Sequence, residues 1–349
     1  LDRIGLGIPK LKGYLDETRY SDLDLTAGYL TDKVSHGVAH SWAREMWGMD
    51  WVDFFAQTNL SASIQAELAS ICAVTKRPDG IKYADLADIT VKKYIEEHLG
   101  LSNEATRFAE LFTKDWFGVG ADQLSAAALA DYGPGFDWAG TVWDPHPESK
   151  YLAMQTPRFP DGFHTIVRGL LAEIKPEAFT RTGDLEELFL ADICPDNFDR
   201  PNDQVQLRLR SMAVHVEHDG DYSTADKVTV HYLKEGEAHR VYAKQLIMAG
   251  GGFAARRVLK DLPSANLTAA EGWRHCPMVY ANVALRRWQA IADAKVQWGT
   301  FSGERYQTFV IQQPIYPPGY SPPWDPDKPI TAMLIWPAID SSQPIGSQL

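Results

Sequence analysis

Two histidine pairs have spacings that could do metal chemistry. His36-Gly-Val-Ala-His40 has the i, i+4 spacing that sets two imidazoles on one helix face, as a zinc pair needs. The Glu that follows the first His of a zinc-protease motif is absent and no third ligand is evident, so the pair reads as two ordinary histidines. His215 and His218, three apart on an expected strand, point to opposite faces and read the same way. The segment Ala249-Gly-Gly-Gly-Phe253 follows an apolar run, Gln245 to Met248. Glycines at the carboxyl end of a strand let a backbone come close to a ligand. The spacing is not G-x-G-x-x-G followed by an acidic residue, so by itself it reads as a strand-to-helix turn or as part of a nucleotide site. There is no G-x-S-x-G and no P-loop. Cys72, Cys194 and Cys276 lie far apart without a CxxC pair, which excludes a disulfide framework and a cysteine zinc site while leaving one disulfide open. The 11 Trp, 14 Tyr and 14 Phe could line an aromatic pocket for an amine or a sugar, with core packing the default for any single ring.

The elements that must position these residues belong to a chain of 349 residues, enough for one large or two medium domains. With 45% hydrophobic and 23% charged residues it can fill a core. Its formal net charge of -12 disfavours nucleic acid and anionic membranes as partners and would attract cations. No apolar run approaches a membrane span. From Ser41 the pattern reads as helical, with Trp47, Trp51, Phe54 and Phe55 along one face. A helix over 88–99 carries Val91, Tyr94, Ile95, His98 and Leu99 and stops at Gly100. Another over 103–115 carries Ala105, Phe108, Leu111 and Phe112 and is capped by Ser102 or Asn103. Asp131 to Trp138 is a Gly/Pro loop, and a helix carrying Ile166, Val167, Leu170, Leu171 and Ile174 follows His164. Period-two patterning predicts strands over Gln204–Glu217, Lys227–Leu233 and His239–Met248, with turns at Asp219-Gly220 and Glu235-Gly236. Met278–Arg286 and Thr331–Trp336 are further strands. Between them, residues 314–329 hold seven prolines and exclude a helix or a central strand.

Four segments in this order carry a family resemblance. Phe159-Pro-Asp-Gly-Phe-His-Thr-Ile-Val-Arg-Gly-Leu-Leu171 resembles the segment of flavin amine oxidases that joins the substrate domain to a helix of the FAD domain. Val205 to His218 resembles the strand pair whose backbone holds adenine. Ala243-Lys-Gln-Leu-Ile-Met-Ala-Gly-Gly251 is similar to the strand that ends beside the flavin. Cys276-Pro-Met-Val-Tyr-Ala-Asn-Val-Ala-Leu-Arg-Arg-Trp288 is similar to the strand entering the substrate domain. Together with Trp116-Phe-Gly-Val-Gly120, these phrases look most like bacterial spermidine dehydrogenase-like proteins, over about 105–335.

The resemblance implies an α/β fold of the FAD-binding amine-oxidase type with two domains. It would lack the N-terminal Gly-rich βαβ unit and the C-terminal segment that closes over the flavin. Residues 1–155 are expected as a mainly helical substrate or cap region, 156–270 as part of the FAD domain, and 271–349 as substrate-domain strands. The implied function is amine oxidation, of a polyamine or other amino compound, by hydride transfer to FAD. The alternatives are a flavin enzyme acting on a non-amine and a non-catalytic assembly or binding subunit. Ala213 and Val214 would hold adenine by their backbone, and Ala249, Gly250 and Gly251 would line the flavin. His164, Tyr280 and Asn282 are the expected catalytic residues, with Phe159, Phe163 and Trp116 in the substrate pocket. The place of the family's flavin-side Lys falls near Tyr280 to Asn282, where there is none, so a dehydrogenase with an acceptor other than oxygen is expected. Companion chains supplying the absent segments are implied, in a soluble assembly of the bacterial cytoplasm or periplasm. The chain's start at Leu1 fits a processing or fragment boundary.

Overall fold

A computed structural model describes residues 4, 11, 13–16, 18–46, 48–74, 78–129, 159–272, 275–302, 305–311, 313–317, 319–320 and 322–340. The expected loop Asp131–Trp138 and Trp47 lie outside them. The strands, in chain order, are β1 (Thr26–Thr31), β2 (Ser41–Arg44), β3 (Ser211–His218), β4 (Val228–Lys234), β5 (Glu237–Ala243), β6 (Met278–Leu285), β7 (Val296–Phe301), β8 (Thr308–Ile311) and β9 (Ile330–Pro337). The chain divides into two compact units, one of residues 1–7 and 161–275, the other of residues 8–160 and 276–349.

The larger unit is built on a mixed sheet of order β2-β1-β7-β8-β9-β6. Only β1 and β7 run parallel; the other neighbours are antiparallel. The two ends of the sequence thus meet in one sheet, where sequence patterning had placed them in separate regions. The helix expected from Ser41 is instead strand β2, followed by the helix Trp51–Ala56. The physical reason is visible at Trp42 and Ala43, which point to opposite faces. Ala43 joins a core with Tyr29, Phe54, Phe55, Phe108 and Phe112, while Trp42 packs on Phe309, Val296 and their neighbours. With side chains packed on both faces of the sheet, all four residues of β8 are buried. A glycine pair makes room for the rings: Gly28 and Gly299 are register partners. A Cβ at Gly299 would strike the Phe309 ring and lie 2.7 Å from Trp42.

The helix Asn103–Phe117 behaves as its sequence requires. Ser102 Oγ accepts from the Glu104 amide at 3.2 Å, and Gly118 ends it in the left-handed region. The helix expected over 88–99 is shorter and mixed, an α turn at Val91–Lys93 running into a π turn at Tyr94–His98. Val91, Tyr94 and Ile95 are buried as its periodicity demands. Among the described residues of 314–329 there is neither helix nor strand.

The smaller unit holds the helix His164–Ile174, short helices at Leu185–Leu190, Gly252–Val258 and Ser264–Gly272, and an antiparallel sheet β3-β4-β5. Glu235 and Gly236, both at positive φ, make the β4–β5 turn. At Asp219-Gly220 the connection is longer than a two-residue turn, since β4 begins only at Val228. Arg168 ties the long helix to the carbonyls of Leu188 and Ala191, and the side-chain amine of Lys175 is held by Asp203, Glu177 and the Val205 carbonyl. Two strands are shorter than patterning suggests. Residues 204–210 are irregular before β3, and β5 ends at Ala243, where its partner β4 begins. Beyond it, Gln245–Met248 has no neighbour to pair with among the described residues and forms no strand.

Candidate functional site

The adenine and flavin residues expected from sequence all lie in the smaller unit. Strand β3 is an edge of its sheet. Its outer side carries one pairing among the described residues, a parallel bridge from Val216 to Leu259, with the Val216 carbonyl accepting from the Lys260 amide at 3.0 Å. The β3–β4 register slips between Ala213 and His215, so Val214 has no partner across the ladder. Ala213 and Val214 are both exposed. The arrangement offers open backbone beside small apolar side chains, which suits a flat heteroaromatic ring held by main-chain groups.

Ala249 to Gly251 do not close a strand. They lead from the irregular tract into the helix Gly252–Val258, with Gly251 as the residue before its first turn. A Cβ at Gly251 would come within 2.7 Å of the Phe253 ring, which sits edge-on to His275 at 5.0 Å. A Cβ at Gly250 would come within 3.1 Å of Met248 Cε. The glycines therefore serve close packing in the chain itself, and all three residues are exposed.

Next to this tract is an open cleft of 480 Å³ with Val216, Leu246, Met248 and Leu259 as apolar wall and Glu217, Lys227, Lys244 and Asp261 as charged groups. Asp261 accepts from the His218 amide at 2.6 Å and meets the His218 ring at 3.1 Å. The backbone hydrogen bond holds its carboxyl below the usual carboxylate range, and the His218 ring adds to the effect.

The expected catalytic and pocket residues are divided. Phe163 and His164 open the helix His164–Ile174 in the smaller unit, both exposed, Phe163 at 78%. Phe159, Trp116, Tyr280 and Asn282 belong to the larger unit. Tyr280 and Asn282 share one face of edge strand β6, opposite Ile335 and Met333 of β9. Tyr280 is 56% exposed, and its hydroxyl donates to Met278 Sδ on the same strand face at 2.8 Å. The six residues fall in different units, and their grouping is taken up below only as a proposal.

His36 and His40 do not share a helix face. His36 ends a one-turn helix at Lys33–His36, and Gly37 in the left-handed region breaks the turn before His40. Among the described residues no group of three or more His, Cys, Asp or Glu could hold a metal ion. Two features escaped sequence reasoning. The buried Tyr29 hydroxyl joins His36 Nε2 and Ser302 Oγ, each at 2.9 Å, across 273 residues of sequence in the second case. Asp115, in the last turn of the helix Asn103–Phe117, has a carboxyl that burial pushes up to about 6. The available signal was its position, since a carboxylate is disfavoured at a helix C-terminus.

The sequence matches no family model and no curated protein. Solved structures do resemble the fold. Three come from a redesign of cofactor binding in putrescine oxidase. The triple mutant matches with a TM-score of 0.52 at 12% identity, covering 94% of this chain and 62% of that chain. A single mutant gives 0.51 at 11% identity, with 94% and 62% covered. The double mutant gives 0.50 at 12% identity, with 92% and 63% covered. The chain has this mixed α/β fold over nearly all its length and spans less than two thirds of the structures it resembles. No helix among the described residues is long and apolar enough to cross a membrane.

Proposed function

We propose that the chain is part of an FAD-dependent oxidoreductase that oxidises an amine, a polyamine among the candidates, by hydride transfer to the flavin. The observation that carries this reading is the fold likeness to putrescine oxidase across 92% or more of the chain. The open backbone at Ala213 and Val214 fits an adenine ring, and Ala249, Gly250 and Gly251 are assigned to the flavin side. FAD, when bound, supplies the hydride acceptor; the protein supplies position and a dry pocket. His164, Tyr280 and Asn282, with Phe159, Phe163 and Trp116, are the residues proposed to face the substrate. Aromatic rings suit a group that is cationic on approach, and the net charge of -12 favours its encounter. The apolar side chains left in water on the smaller unit support a companion polypeptide in the working assembly.

The test is an absorption spectrum of the purified assembly. A flavin band that bleaches anaerobically on adding an amine supports the reading. A flavin band that amines leave unchanged points to a non-amine substrate, and a colourless assembly that takes up no FAD overturns it. Intact mass of the same preparation shows whether companion chains are present.

A further inference from the structure

The open cleft of the smaller unit gathers positive charge that nothing beside it takes up. Its volume of 480 Å³ is in the range of small-molecule sites. Lys227 and Lys244 both line it. They stand one residue beyond Val228 and Ala243, the register pair at that end of the β4–β5 ladder. The end of the ladder thus brings two lysines to one cleft, and like charges placed across a ladder repel. Neither ammonium makes a hydrogen bond or an ion pair with a described residue. The two acids of the lining, by contrast, are engaged. Asp261 accepts from the His218 amide at 2.6 Å and meets the His218 ring at 3.1 Å. Glu217 alternates in direction with Val216 and His218 along β3. Its carboxyl meets His215 at 3.1 Å and His231 at 3.9 Å.

Beside the lysines the wall is apolar, with Leu246 and Met248 from the irregular tract and Val216 and Leu259 from the bridge. A paired ammonium site against an uncovered apolar wall matches a molecule that carries both an anionic group and an apolar body. A cation would meet two like charges there, and a neutral apolar molecule would leave both unanswered. None of Ala213, Val214, Ala249, Gly250 and Gly251 lines the cleft, so it is separate from the residues assigned to FAD. We infer that the cleft binds a small organic anion, with its carboxylate or phosphate at Lys227 and Lys244 and its apolar body against Leu246 and Met248. This site goes beyond the amine reading and does not depend on it.

The experiment is calorimetry of the 349-residue chain with octyl phosphate and octanoate as probes. Octanol is the uncharged control and octylamine the control of opposite charge. The parent should bind at least one of the two anions saturably, and at least about tenfold more tightly than octanol or octylamine. Lys227→Gln combined with Lys244→Gln should weaken that anion at least about tenfold. Both side chains are exposed, so the urea midpoint of the double variant should stay that of the parent. Lys227→Arg with Lys244→Arg, which keeps both charges, should retain most of the binding. A parent without saturable anion binding, equal affinity for octanol or octylamine, or a double Gln variant that binds as the parent does overturns the inference. So does displacement of the bound probe by FAD, which would make the cleft part of the flavin site.

Discussion

The larger and smaller units spend their apolar residues differently. In the larger one, Tyr29, Phe54, Phe55, Phe108 and Tyr94 are fully buried, and a buried cluster lies on each face of the sheet. In the smaller one the buried set is short, centred on Ala178, Phe179, Ala191 and Phe198. Val167, Leu170 and Ile174 of its long helix, Met212 and Val214 of β3, and Ile247 of the irregular tract all face water. A sheet of three strands cannot cover both of its faces, so burial there depends on what packs against it. The larger unit buries most of its large apolar side chains, and the smaller one leaves more of them exposed.

The comparison breaks most visibly at Phe55. Its ring sits against Tyr29, Phe54 and Phe108 at 6.3, 5.1 and 5.4 Å. Phe55→Ala should cost about 3–5 kcal/mol, from lost burial and the cavity left behind. Urea unfolding followed by tryptophan fluorescence reads this unit, which holds Trp42, Trp51, Trp288, Trp298 and Trp324. A loss under about 1 kcal/mol would mean that the core is looser than its packing indicates.

The next effect has the opposite sign. Asp115 has its carboxyl pushed up from 3.8 to about 6 by burial. The folded chain therefore binds this proton more tightly than the unfolded chain. Its stabilising contribution is present below about pH 4 and is lost as pH rises through about 6. Asp115→Asn should raise stability by on the order of 2 kcal/mol at pH 7 and change little near pH 3.8. Melting temperatures of parent and variant at the two pH values check this. An equal gain at both would remove the carboxylate charge as its cause.

His36 runs the other way in the same unit. Burial, with the Arg107 charge adding to it, lowers its proton affinity below the ordinary histidine value of 6.5. Its Nδ1 is buried with no hydrogen-bond partner. The unfolded chain then takes the proton first, so stability is full above about pH 6.5 and falls as pH drops. The ring is half-buried, which keeps the effect under about 1 kcal/mol. His36→Gln should flatten that slope while the Asp115 slope persists, read from the same melting series.

How much of this was legible in sequence follows the range of the forces involved. The helix Asn103–Phe117, the Glu235-Gly236 turn and strands β6 and β9 carry their own periods, caps and turn residues, and they were readable. Strands β1, β2, β7 and β8 were not seen, and Ser41–Arg44 was read as helix. Four residues are too few to show a period, and β1 finds its parallel partner β7 about 270 residues along the chain. The opposite error arose at Gln245–Met248, where apolar composition suggested a strand. A strand is a pairing rather than a composition, and β4 begins at Val228, opposite Ala243, so it offers nothing across from Gln245–Met248. The same limit governs the site. Glycines and aromatics were visible as residue types, but the unpaired Val214 comes from a register slip that sequence does not show.

The smallest effect expected on stability is the sharpest test of the contrast between the units. Ile247 is 91% exposed in a tract whose backbone makes no ladder. In the isolated chain Ile247→Ser gives up almost no burial, so unfolding should shift by less than about 0.5 kcal/mol. Its consequence should appear in association instead. Leu246 and Met248 line the neighbouring cleft, and Ile247 adds its side chain to that apolar strip. Uncovered apolar surface of this kind drives contact between molecules. Light scattering at rising concentration should therefore show less self-association for Ile247→Ser than for the parent. If the substitution instead costs more than about 1 kcal/mol and leaves association unchanged, the tract is covered in solution and the smaller unit is as self-sufficient as the larger.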